Sequence, residues 1–204
     1  MNTDDQFSGY FTRLKETIDK LDLNAIGQIV DILLDCRENG QTMYIFGNGG
    51  SAANASHIAG DFLKGISYGM DKRFRAHSLA DNMAGITAIT NDLAYEDVFY
   101  EQLRTFMSPG DVVIGISGSG NSPNVIKAIK WANENGGTTI AFVGYKGGLL
   151  KNTAHYVVHV PIEDMEITED MHTMIFHAIK QEINRRIKGD NYSMGEAYDK
   201  RIKQ

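Results

Sequence analysis

With one cysteine in 204 residues, the chain has no internal disulfide to draw on. Cys36 sits in the helical apolar pattern IVDILLDC, where a thiol reads as a core position rather than a nucleophile. Prolines number only three and no low-complexity run appears, so nothing resembles a dividing linker and residues 1–204 are expected to form one domain. Long apolar runs are missing too: none approaches the roughly 20 residues that a membrane span requires, so no membrane insertion is expected. The opening MNTDDQFSGYFTRLKETI lacks the basic-then-apolar order of a secretion signal, which points to the cytoplasm. Positive charge is scarce. The net charge is −6 with no long basic cluster, and the concentrated Lys/Arg face of a nucleic-acid binder is absent, so no nucleic-acid partner is expected. What remains, 42% apolar and 23% charged, is the composition of an ordinary globular domain.

Hydrophobic spacing organises the chain. Residues 5–20 and 24–38 carry apolar side chains at helical intervals (Leu14, Ile18 and Leu21, then Ile26, Ile29, Val30, Leu33 and Leu34). Short β-rich runs follow at 42–46, 74–79, 112–116, 138–143 and 156–160, separated by helical stretches readable at 52–64, 93–106, 122–135 and 167–187. The alternation predicts an α/β domain whose five-stranded parallel sheet is doubly wound, with helices on both faces. The two opening helices have no partner strands, and their apolar stripes need a surface; a homo-oligomer contact is the expectation. The tail at 190–204 is polar and carries no assigned role.

Two loops carry chemistry. The first strand runs directly into Gly47-Asn48-Gly49-Gly50-Ser51 and then a helix, which lets backbone amides approach an anion at a helix start. The same loop could be a plain glycine-rich turn. The second loop favours the anion: Ser117-Gly118-Ser119-Gly120-Asn121-Ser122-Pro123 places three hydroxyls before a helix that one serine would cap. A ligand with several acceptor oxygens, such as a phosphate ester, fits that excess. Neither loop has the Gly-Lys-Ser/Thr of a nucleoside-triphosphate site or the glycine spacing of a dinucleotide site.

Groups able to move protons or hold a metal follow the first loop and recur late. His57 and Asp61 are four apart on one helix face, an arrangement that could equally be a solvated side-chain pair. Glu169, Asp170, His172 and His177 share a helix with Met171, Met174, Ile175, Ile179 and Ile183, and His177 reads as lying within that apolar stripe. A histidine so placed is more often a core residue than a ligand, and its own chemistry does not select it.

The ordered segments FGNGGSAANASHIAGDF (46–62), TNDLAYEDVF (90–99), GISGSGNSPNVIKAIKWA (115–132) and EDMHTMIFHAI (169–179) closely resemble the phosphoheptose isomerases of the SIS (sugar isomerase) family. These enzymes interconvert sedoheptulose 7-phosphate and D-glycero-D-manno-heptose 7-phosphate. The resemblance implies the SIS fold, with Asn48, Gly49 and Gly50 lining the substrate site, Ser51, Ser117, Gly118, Ser119 and Ser122 around phosphate, and Asn91 and Asp92 near the sugar. It implies zinc held by His57, Asp61, Glu169 and His177, Asp61 as base at carbon, His177 as the second proton carrier, Glu169 also at the substrate, and a homotetramer. The chain departs from the family pattern where Asp61 replaces a glutamate, Glu169 a glutamine and Gly65 an arginine; Lys64 is the nearest cation in sequence. An isomerase for another sugar phosphate in surface-glycan synthesis, and a non-catalytic SIS adaptor, are the rival readings. Glu169 and His177 are eight residues apart, about 12 Å along a straight helix and about 80° around it, so one metal could only just be reached by both.

Overall fold

The computed structural model describes residues 3–190 and the single position Gly195; the remainder of the 190–204 tail lies outside the described residues. Five strands, β1 (Thr42–Gly47), β2 (Arg75–Ser78), β3 (Val112–Ser117), β4 (Thr138–Val143) and β5 (Tyr156–His159), form one parallel sheet in the order β2-β1-β3-β4-β5. Each falls where an apolar run predicts it. Successive side chains point to opposite faces, so Met43 and Ile45 enter one core while Tyr44 and Phe46 enter the other. Both faces are covered, which is why these strands read as continuous apolar runs.

On the first face lie α2 (Leu23–Glu38), α3 (Gly50–Gly60) and α7 (Met165–Lys188), which supply Ile29, Leu33, Ile58, Met171, Ile175 and Ile179 to one cluster. On the second lie α5 (Tyr100–Phe106) and α6 (Pro123–Glu134), with Leu103, Val125 and Ile129 in the other. The expectation that both opening helices lack an intrachain surface is corrected for α2, whose Ile29, Val30, Leu33 and Cys36 are buried against the sheet. Burial pushes the Cys36 thiol up to about 12, in keeping with a core role. The first helix, α1 (Thr3–Ile18), leaves Phe7 and Phe11 exposed while Tyr10 bonds Asp170 of α7 and Arg13 bonds Asp164, the residue that caps α7.

A further helix, α4 (Met83–Asp92), was not expected, and the helix predicted at 93–106 is broken: a 3-10 turn at Tyr95–Asp97 precedes the shorter α5. None of the α4 residues is buried. Between β4 and β5 the backbone of the 144–149 loop presses on the serine loop; a Cβ on Gly120 (φ 68°) would lie 2.0 Å from the Gly147 carbonyl oxygen. Only glycine permits that approach.

Candidate active site

The strand order reverses between β1 and β3, and these two strands are adjacent, with Gly47 in register with Ile116. The glycine loop after β1 and the serine loop after β3 therefore open side by side at the carboxyl end of the sheet, the place where open α/β sheets hold ligands. They frame a cleft of about 280 Å³ lined by Asn48, Gly49, Gly50, Ser51, Ser117, Gly118, Ser119, Ser122 and Glu169.

Neither helix that starts at this cleft is capped by a side chain. Gly49 precedes α3 with no side chain to offer, and Ser122 precedes α6 but shares its hydroxyl with Ser117 at 2.9 Å instead. Pro123 brings no amide to α6, the Val125 amide bonds Asn124 Oδ1 at 3.0 Å and the Ala52 amide of α3 returns to the Asn48 and Gly49 carbonyls, so Gly50, Ser51 and Asn124 offer the amides that can face an external acceptor, and the helix dipoles favour one that is negative. Asn48 is held in place by paired amide contacts with Asn124 at 2.9 Å and by the Tyr95 hydroxyl at 2.7 Å. Asn124 and Tyr95 carry no motif of their own; their role follows from the meeting of loops.

From the cleft a polar seam runs between α3 and α7. Residues 54, 57 and 61 share one face of the first segment, and 169, 173, 177 and 180 share one face of the second, because intervals of three, four and seven or eight return to one side of a helix. Asn54 donates to the Glu169 carbonyl at 3.1 Å and accepts from Thr173 at 2.8 Å. One level further, the Nε2 atoms of His57 and His177 are 2.9 Å apart, so one ring donates a proton to the other. Asp61 Oδ2 lies 3.7 Å from His57 Nε2 and 3.5 Å from His177 Nε2, and its Oδ1 receives Lys180 Nζ at 2.5 Å. Asp61 also opens a π-helical stretch, Asp61–Ile66, an irregularity common where a helix carries function.

His57, Asp61 and His177 form a group able to hold a metal ion. The point equidistant from their three ligand atoms falls about 2 Å from each, the length of a zinc–nitrogen or zinc–oxygen bond, so a zinc-sized ion fits the donor set. Glu169 does not join this group. It lies on the same seam but two helical turns from His177, and its carboxylate rests against Gly50 at the start of α3, where an added Cβ would meet Oε2 at 2.3 Å. Burial there raises its pKa, and the neighbouring Glu166 and Asp170 add to the effect.

The reading of His177 as part of the apolar stripe is also corrected: its side chain is 45% exposed, whereas His172, about 1.4 turns earlier, is fully buried against Phe142. Asn91 and Asp92 bond each other at the exposed end of α4 and do not line the serine cleft. Lys180, missed in the sequence, had a legible signal in its position three residues after His177. A larger cavity, about 720 Å³, lies away from this chemistry, between α3, α5 and the edge strand β2, and holds none of the cleft serines or seam histidines.

Fold and cleft together define an open parallel α/β domain with a loop-lined polar cleft at its strand ends, and a family model described as the SIS domain matches residues 6–144; the chain belongs to the SIS-domain family, in its phosphoheptose isomerase branch. It is 42% identical to a probable phosphoheptose isomerase of Thermoplasma acidophilum over 159 residues, 78% of this chain and 87% of that one. With the phosphoheptose isomerase of Clostridium acetobutylicum it shares 37% identity over 82% of this chain and 85% of the relative. The solved phosphoheptose isomerase of Neisseria gonorrhoeae superposes with a TM-score of 0.82 at 31% identity, covering 90% of this chain and 99% of that structure.

Proposed function

We propose that the protein is an aldose–ketose isomerase that interconverts sedoheptulose 7-phosphate and D-glycero-D-manno-heptose 7-phosphate. The observation that carries this reading is the continuity of the site: an uncapped anion cleft at one end of the α3–α7 seam and a proton-carrying His57–Asp61–His177 group at the other. Ser51 and His57 are six residues apart, about 9 Å of helix rise, a separation that an extended phosphorylated sugar spans.

In the forward direction, Asp61 Oδ2 removes a proton from C1 of the ketose. The C1–H electron pair becomes the C1–C2 double bond, and the carbonyl pair moves onto O2, which takes a proton from the His57–His177 pair. The resulting enediol loses its O1 proton to the same imidazoles as Asp61 returns a proton to C2, leaving an aldehyde at C1 and both residues in their starting states. Ser51, Ser117, Ser119 and Ser122, with the Gly50 and Ser51 amides of α3 and the Asn124 amide of α6, hold the phosphate and fix the reach of the sugar chain. His57, Asp61 and His177 would hold a zinc ion through the same atoms, and when bound it would polarise the sugar oxygens in place of the shared Nε2 proton, because a ring nitrogen cannot hold metal and proton on one lone pair.

The protein is further inferred to be a cytoplasmic homotetramer. Exposed Phe7 and Phe11 on α1, and Met83 at 66% exposure on α4, which has no fully buried residue, support an assembly. None of the described helices is long and apolar enough to cross a membrane.

The test is NMR of the purified protein with sedoheptulose 7-phosphate: aldoheptose signals support the reading, and their absence refutes it. One observation favours a second reading, an isomerase for a different sugar phosphate. Glu169 brings a carboxylate into the phosphate cleft, and phosphorylated sugars of other lengths in the same assay separate the two.

A further inference from the structure

The two oxygens of Asp61 face different partners. Oδ2 looks toward both imidazoles, while Oδ1 is held by Lys180 Nζ at 2.5 Å, in an ion pair whose side chains are only 16% and 20% exposed. A pair so shielded from solvent is stronger than one on an open surface.

One glycine gives the ammonium room at this contact. Gly65 follows Asp61 by four residues in the π-helical stretch, and a Cβ at that position would lie 3.0 Å from Lys180 Nζ, 3.1 Å from its Cε and 3.3 Å from Asp61 Oδ1. The cation that reaches Asp61 thus comes from α7, one turn beyond His177, and not from Lys64 beside it in sequence. A carboxylate whose one oxygen is fixed has one orientation left for the other, and an aspartate, with its short side chain, has little slack to find it unaided.

We propose that Lys180 is a positioning residue of the proton-transfer group: lodged in the space Gly65 leaves, it clamps Asp61 Oδ1 and thereby presents Oδ2, alone, to the substrate carbon and the two imidazoles. The inference rests on the isomerase reading, but its structural content stands apart from turnover. Partners that orient a functional carboxylate typically contribute about 10–100-fold in activity, and Lys180→Met, similar in length and uncharged, is expected to lower kcat by that factor with KM within about twofold. Gly65→Ala, which changes no ionisable group and whose Cβ the flexible ammonium end clears by a shift of a few tenths of an ångström, is expected to lower kcat less than Lys180→Met does.

Chemical rescue separates position from packing. Cys36 is buried and its thiol is pushed up to about 12, so in Lys180→Cys only the new thiol reacts with 2-bromoethylamine, which rebuilds a lysine-length ammonium. Recovery of kcat on alkylation supports the clamp. A crystal structure of the Lys180→Met protein completes the test without reference to activity: the Asp61 carboxylate is expected to rotate away from the imidazoles. Unchanged kcat in Lys180→Met, failure of alkylation to restore it, or an Asp61 carboxylate that keeps its orientation in that crystal would each overturn the proposal. An inactive wild-type protein would refute the isomerase reading instead, and the crystal structure would still decide the clamp.

Discussion

The cleft end of the site is shaped by backbone: two adjacent strands end together, two helices begin uncapped, and small residues keep the amides open. The seam end is shaped by side chains from segments more than 100 residues apart in sequence, as His57 with His177 shows. The first construction spreads its binding over several donors and tolerates the loss of one. The second concentrates its chemistry in a few atoms, and each is expected to matter far more.

The sharpest contrast comes from Asp61→Ala. It removes the proton carrier at carbon without emptying the core, so kcat is expected to fall by about 10²–10⁴-fold while the fold and phosphate binding persist. Calorimetry with inorganic phosphate beside a turnover assay reads both halves, and parallel losses would erase the distinction between the two ends. Next in size is the paired change Ser119→Ala with Ser122→Ala. Each charge-assisted hydrogen bond contributes about 1.5–3 kcal/mol, so the dissociation constant for substrate is expected to rise at least about a hundredfold. An unchanged constant would move the phosphate site elsewhere.

The two α7 histidines give a smaller contrast, between seam and core. Burial pushes the pKa of His172 down to about 4 from the usual 6.5, against a weaker opposing pull from the Val143 backbone. The unfolded chain therefore binds this proton more readily than the folded one. The stability associated with the neutral ring is fully present above pH 6.5 and is lost as pH falls, levelling off below about pH 4 after a change of up to about 3 kcal/mol. Denaturant melts across that window are expected to lose part of their slope in His172→Leu, and an identical slope would place the acid sensitivity in other groups. The smallest effect belongs to Glu169→Gln. Removing one negative charge from the cleft is expected to tighten inorganic phosphate by about fivefold, on the order of 1 kcal/mol, while zinc affinity stays put. A large fall in zinc affinity would return Glu169 to the metal group.

The same division governs what the sequence discloses. Apolar runs such as TMYIF and VVIGI locate strands because both faces of the sheet are covered, and GNGGS and SGSGNS mark the two loops that line the cleft because their signal is local. The seam is written across two distant helices. His57 and Asp61 show their spacing, but Lys180 acquires its partner only when α7 packs on α3 and Gly65 leaves room. Helix α4 is hard to read in the sequence because, of MAGITAIT, only Ile86 and Ile89 pack on the core, and only partly, so no strong amphipathic stripe marks it. Glu169 was placed with the metal by likeness to relatives, while two turns of helix carry it to the cleft.

The central claim is that the seam moves a proton between adjacent sugar carbons while the cleft holds the phosphate. Sedoheptulose 7-phosphate turned over in deuterated water and followed by NMR tests it most directly. The account predicts an aldoheptose phosphate carrying solvent deuterium at C2. Substrate that binds through its phosphate yet yields no aldose and acquires no deuterium would contradict it and leave a sugar-phosphate-binding protein without catalysis.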